Sequence, residues 1–118
     1  MLFRVDPASD VPLFAQIADA VRAEIAAGRV SAGDRLPPAR ELAEALGVNL
    51  HTVLHAYQDL REEGLVDLRR GRGAVVTPAG AALAGLRTDI AALVAQAHRA
   101  GVSPHTLSAL IKEAARDR

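Results

Sequence analysis

The sequence predicts a mainly α protein of α+β class, in which a single small β hairpin interrupts a series of short helices. Three observations lead there. Half of the residues are hydrophobic, but only Phe3, Phe14 and Tyr57 are aromatic, so the apolar content is mostly Ala, Leu, Val and Ile. An alanine-rich composition of this kind favours helix. Apolar residues also recur at helical spacing in successive segments, whereas residues 65 to 77 shorten to the period of strands.

Size and composition narrow the classes further. A chain of 118 residues and 12.4 kDa suits one compact domain, or a small domain with an appended element. That is enough to bury a core without a disulfide or a structural metal. The absence of cysteine excludes a disulfide scaffold, a thiol nucleophile and Cys-ligated zinc or iron–sulfur. Apolar runs are short and broken by charges, which predicts no membrane span. The start, Met1 to Asp6, lacks the charged end and apolar run of a signal peptide. The expected location is therefore the cytoplasm. Fourteen basic and fourteen acidic residues give a formal net charge of zero. Taken alone, that balance argues against a nucleic-acid partner.

Taken in order, residues 2 to 5 alternate briefly, as a short strand would. Asp10 is positioned to cap a first helix, with Pro12 tolerated in its first turn. Phe14, Ile17, Val21 and Ile25 give that helix an apolar stripe, and Gly28 stops it. Gly33-Asp34 and Pro37-Pro38 bracket a tight connection. A second helix from about Pro38 turns Leu42 and Leu46 inward and closes at Gly47. Asn49 caps a third, running to about Glu63 and ending at Gly64, with Val53, Ala56, Tyr57 and Leu60 inward. Two short helices joined this way form a helix-turn-helix. The runs 65–69 and 73–77 then make a hairpin about Arg70-Gly71-Arg72, and Pro78 ends the unit. The architecture is thus a winged helix-turn-helix over residues 1–78 with a two-helix tail over 79–118. Leu83, Leu86, Ile90, Leu93 and Ala97 keep a 3-4-3-4 spacing, a narrow seam of coiled-coil type. After Gly101, Ser103-Pro104 starts a last helix lined by Leu107, Leu110, Ile111 and Ala114.

The residues that carry this architecture also carry a resemblance. Leu36-Pro37-x-x-Arg40-Glu41-Leu42-Ala43, Leu46-Gly47-Val48-Asn49, Thr52-Val53, Ala56-Tyr57, Glu63-Gly64-Leu65-Val66 and Arg70-Gly71-Arg72-Gly73 resemble the DNA-binding domain of the GntR family of bacterial transcription regulators. The match runs over roughly residues 9 to 77. A tail this short cannot hold a large effector domain, and two helices there are similar to the YtrA subfamily, in which such helices pair two subunits. The resemblance implies a homodimeric repressor on an inverted-repeat operator in double-stranded DNA. Leu50, His51, Leu54 and His55 depart from the family's common residues at groove-facing positions, so the operator sequence stays open.

The chemistry of recognition selects the candidate residues. Cations must meet phosphates, and polar or apolar groups must meet base edges. Opposite the buried face of the third helix project His51, Leu54, His55 and Gln58. Gln58 suits adenine, His51 a phosphate or guanine, and Leu54 a thymine methyl. Asn49 and Thr52 stand at the helix N-terminus, where a phosphate is favoured. The resemblance implies that Arg40, near the start of the second helix, reaches the DNA backbone or a base, against the alternative of a surface pair with Glu44. Arg69, Arg70, Gly71 and Arg72 form an acid-free wing tip suited to a narrow minor groove. Glu41, Glu44, Glu62 and Glu63 are expected to point elsewhere.

His51 and His55, at i and i+4, have a spacing zinc can bridge, but no third ligand is evident; His98 and His105 lie near the bend of the tail. No metal or cofactor is assigned. No phosphate loop or nucleophile elbow occurs, and the carboxylate pairs fall on exposed helix surfaces, so no enzymatic site is expected. The tail seam is expected to pair with a second copy rather than fold back. Two other readings remain open: a winged helix that binds a protein partner, and a regulator gated by a metal or an unidentified effector at the tail.

Overall fold

The computed structural model describes residues 4–118 of the chain. Its elements run α1 (Leu13–Ala26), α2 (Ala39–Leu46), α3 (Leu50–Glu62), β1 (Val66–Arg69), β2 (Gly73–Val76), α4 (Pro78–Ala81), α5 (Leu83–Arg99) and α6 (Pro104–Arg116). They divide into two units, the first ending at Ala84 and the second spanning Gly85–Arg118.

In the first unit, Ile17, Val21 and Ile25 of α1 meet Val53, Ala56, Tyr57 and Leu60 of α3, and all of them are buried. Leu42 and Ala43 of α2 and Leu36, Leu65, Val66, Ala74 and Val76 close the same core. α1 begins one residue after Pro12, with no side-chain cap, so the expected Asp10 cap does not form. Gln16 does the fastening instead. Its Oε1 accepts the Asp6 N–H at 2.7 Å, and its Nε2 donates to the carbonyls of Asp6 and Val11 at 2.9 and 2.8 Å. Of the strand expected at residues 2 to 5, Leu2 and Phe3 lie outside the described residues, and Arg4 and Val5 belong to no strand.

α2 ends at Gly47 with φ 67°, a left-handed turn that glycine adopts without a Cβ clash. Asn49 caps α3 by accepting the His51 N–H at 2.8 Å. The Tyr57 hydroxyl then donates to the Pro37 carbonyl at 2.6 Å, tying α3 to the approach to α2. Burial raises the pKa of that hydroxyl above its ordinary 10.0.

β1 and β2 pair antiparallel, with Val66 opposite Val76 and Arg69 opposite Gly73. The connection before α2 adds a third edge. Leu36 donates to Ala74 at 2.8 Å, Val76 donates to Asp34 at 2.9 Å, and Gly33 donates to Val76 at 2.9 Å. Sequence gives little warning of this edge, because a few residues framed by glycine and proline read as a turn.

Pro78 does not end the unit but opens α4, where a missing N–H costs nothing. Thr77 caps that helix, accepting the Gly80 N–H at 2.9 Å while its hydroxyl donates to the Gly64 carbonyl at 2.6 Å. Leu83, expected in the tail seam, packs against the winged-domain core instead. The first unit therefore extends to Ala84 rather than stopping at residue 78. The helical stretch Pro78–Arg99 is long and apolar enough by composition to cross a membrane, contrary to the expectation from broken apolar runs. Arg87 and Asp89 sit within it, and its large apolar residues keep to a seam, the pattern of an amphipathic helix.

In the second unit α5 turns at Gly101, with φ 76°, and Ser103 caps α6 by accepting the Thr106 N–H at 3.1 Å. Ala97 is its one buried hydrophobic residue among those described.

Two outcomes follow from this packing. A Cβ added at Gly80 would stand 2.4 Å from the Leu65 carbonyl oxygen. Gly80→Ala should therefore lose roughly 1–3 kcal/mol of stability in denaturant titration; an unchanged midpoint would contradict the close approach. Ionisation of Tyr57 is disfavoured in the folded state, so the unfolded chain releases that proton first. Its stabilising contribution is complete below pH about 10 and is lost as pH rises further. Tyr57→Phe should lower stability by about 1 kcal/mol at neutral pH and remove that alkaline loss, both readable by thermal melts at several pH values.

Candidate nucleic-acid interface

α3 presents an open side because its four inward residues leave the opposite turn unpartnered. His51 and Leu54 are exposed there, and Gln58 and Thr52 are half-buried. Asn49 spends its side-chain oxygen on the His51 amide, which leaves its NH2 group as the available donor. That bond also fixes the first turn, where the Thr52 N–H donates to the Asn49 carbonyl at 3.0 Å and leaves the Thr52 hydroxyl as its outward group.

His55 is held differently from the other three groove candidates. Its ring stacks on Phe14 of α1, with centroids 3.7 Å apart and planes 16° from parallel, and its Nε2 lies 3.6 Å from Asp59 Oδ1. This puts it on the flank of α3 that meets α1, with half of its side chain still exposed. Glu62 also departs from expectation. Helical spacing sets it in line with His51, His55 and Gln58, at the far end of the same face. Glu63 does point elsewhere, forming a two-pronged pair with Arg22, whose third nitrogen holds Asp19 at 2.6 Å. The bond to Glu63 raises the Arg22 pKa more than any other influence. Arg29 is likewise engaged, at 2.8 Å from Glu24.

Four further arginines, Arg40 at the start of α2 and Arg69, Arg70 and Arg72 on the wing, are the cationic candidates. Arg40 is exposed, and among the described residues it makes no ion pair, so the alternative contact with Glu44 does not form. At the wing, the Arg72 N–H closes a turn on the Arg69 carbonyl at 3.1 Å. Gly71 supplies the positive φ of 78° that this turn needs in its third position. Arg69 lies 3.5 Å from Asp67 on its own strand, so the tip is not as free of acid as its sequence implied. Arg70 and Arg72 make no ion pair among the described residues. Arginine suits such a tip, because its planar fork matches a phosphate and it carries charge at any physiological pH.

Leu68 is a residue the sequence reading passed over. Alternation along β1 sets it on the face of Val66, yet it is 42% exposed because it lies beyond the core edge. Its alternation with Val66 was the available signal.

The tail candidates separate into three sets. Leu86, Ile90, Leu93, Leu110 and Ile111 are exposed, joined by Val94, which the seam spacing had omitted. Leu107 is half-buried and Ala97 buried within their own unit, while Leu83 belongs to the first. Among the described residues no three His, Asp or Glu side chains come together as a metal would need.

Residues 13–76 match the family of bacterial regulatory proteins described as the gntR family. The chain is 32% identical to the HTH-type transcriptional repressor YtrA of Bacillus subtilis, across 98% of this chain and 94% of that protein. A solved structure of YtrA from Sulfolobus acidocaldarius, a GntR-family transcription factor, superposes with a TM-score of 0.62 at 34% identity, covering 84% of this chain and 99% of that one. The DNA-binding domain of AraR, solved in complex with operator ORX1, superposes with a TM-score of 0.57 at 31% identity, covering 64% and 93%. The chain thus belongs to the gntR family of bacterial regulatory proteins, as a DNA-binding transcription regulator and not an enzyme.

Proposed function

We propose that this chain is a cytoplasmic repressor that binds an inverted-repeat operator as a homodimer. The observation that carries the DNA contact is the pair Arg70 and Arg72, free of acids at a wing tip beside a capped, open-faced α3. Arg40, His51, Thr52, Leu54 and Gln58 complete the surface, and Asn49 offers its amide. His55 borders it on the α1 side, where its ring stacks on Phe14, and Arg69 contributes less than its neighbours because Asp67 shares its charge. A wing that met a protein partner would more often be apolar at its centre. The repressor named YtrA supports the sign of regulation, since the likeness runs nearly end to end.

The dimer reading rests on the second unit. Leu86, Ile90, Leu93, Val94, Leu110 and Ile111 are each at least 40% exposed, in a unit that buries little of its own. Apolar side chains on one short helical pair form the kind of patch that marks an interaction site. A twofold pairing would also present two copies of α3 to half-sites about one DNA turn apart. Such pairing raises affinity through effective concentration without any new DNA contact.

Arg70→Ala combined with Arg72→Ala should weaken binding to every duplex. It should also make the salt dependence shallower, by about 0.9 in slope for each phosphate that the wing no longer neutralises. A slope identical to that of the parent would remove the wing from the interface. Ile90→Asp should yield monomers in sedimentation while leaving the helical signal of the winged unit intact; a persisting dimer would locate the contact elsewhere.

A further inference from the structure

Between α3 and the wing lies a groove of about 580 Å³. Its deepest residues, Tyr57 and Ala74, are each 4% exposed, while Leu54 and Leu68 flank it at 43% and 42%. Large apolar side chains left this open, facing one another across a concave surface, need a partner. The polar atom of the floor is not free to attract one, since the Tyr57 hydroxyl already donates to the Pro37 carbonyl. Arg69 and Arg70 also line the groove, and no carboxylate does. An apolar floor under a cationic rim matches one strand of DNA, whose phosphates run alongside the apolar parts of its nucleotides.

The geometry points to a thymine-reading seat. We infer that one operator strand lies in this groove with a thymine C5-methyl held between Leu54 and Leu68, and its flanking phosphates on Arg69 and Arg70. The inference rests on the DNA-binding reading above and deepens it, because it makes Leu68 on the wing a specificity determinant alongside Leu54 on the helix. Among the bases, thymine alone presents a methyl in the major groove. Cytosine and uracil leave that space empty, and the two leucines have no polar group with which to compensate.

The test uses the full chain and a duplex enriched by it from a random pool. Each thymine is replaced singly by deoxyuridine, which deletes the methyl and keeps the base pair. At one or more positions the parent should lose about fourfold in affinity, the equivalent of one buried methyl group. At those positions Leu54→Ala and Leu68→Ala should bind the thymine and uracil duplexes equally. Both residues are exposed, so both variants should fold as the parent does, which circular dichroism checks. If the parent is indifferent to uracil everywhere, or if either variant keeps its preference, the inference is overturned while DNA binding stands. A chain that enriches no duplex overturns the DNA-binding reading, and the inference with it.

Discussion

A single hydroxyl joins the parts that have to act together. Tyr57 leaves the buried face of α3 and donates to the Pro37 carbonyl, just ahead of α2. The same ring forms the floor beneath Leu54 and Leu68. One side chain thus sets the spacing between the two helices of the helix-turn-helix and also the depth of the groove beside them. A buried hydroxyl is worth keeping only where its bond is made, and here it is made to a carbonyl with no ladder partner. Around that link the core is a small, mostly aliphatic cluster, in which Tyr57 is the one buried ring among the described residues and Phe14 packs at the edge.

The neutral total charge becomes informative once the pairs are located. Arg22 is occupied by Asp19 and Glu63, and Arg29 by Glu24, all away from the wing tip. These exposed pairs add little stability. Their effect is to cancel acid against base where DNA is not expected, leaving Arg40, Arg70 and Arg72 unbalanced where it is. Phosphate contact depends on local excess rather than on the sum.

Much of this was legible in the chain because its signals are local. Gly47, Asn49 and Gly64 mark helix ends by backbone chemistry that operates within a few residues, and the structure keeps all three. What escaped was non-local. Nothing near Leu36 announces that its amide will meet Ala74, and nothing near His55 announces Phe14. Leu83 fits the seam spacing of the tail as well as any of its neighbours, and only the three-dimensional reach of α4 returns it to the first core. The wing arginines were found by sequence, but the acid that holds Arg69 was overlooked because Asp67 sits two residues back along the strand. In a strand that offset is the same face.

The seam at Gly80 has a mechanical side. α4 is fastened where α3 gives way to β1, through Thr77 on Gly64 and Leu65 and through Gly80 against the Leu65 carbonyl. That joint is the root of both α3 and β1. α4 therefore works as a brace, and the residue without a side chain is what lets it lie flat against the backbone at the point where helix gives way to strand.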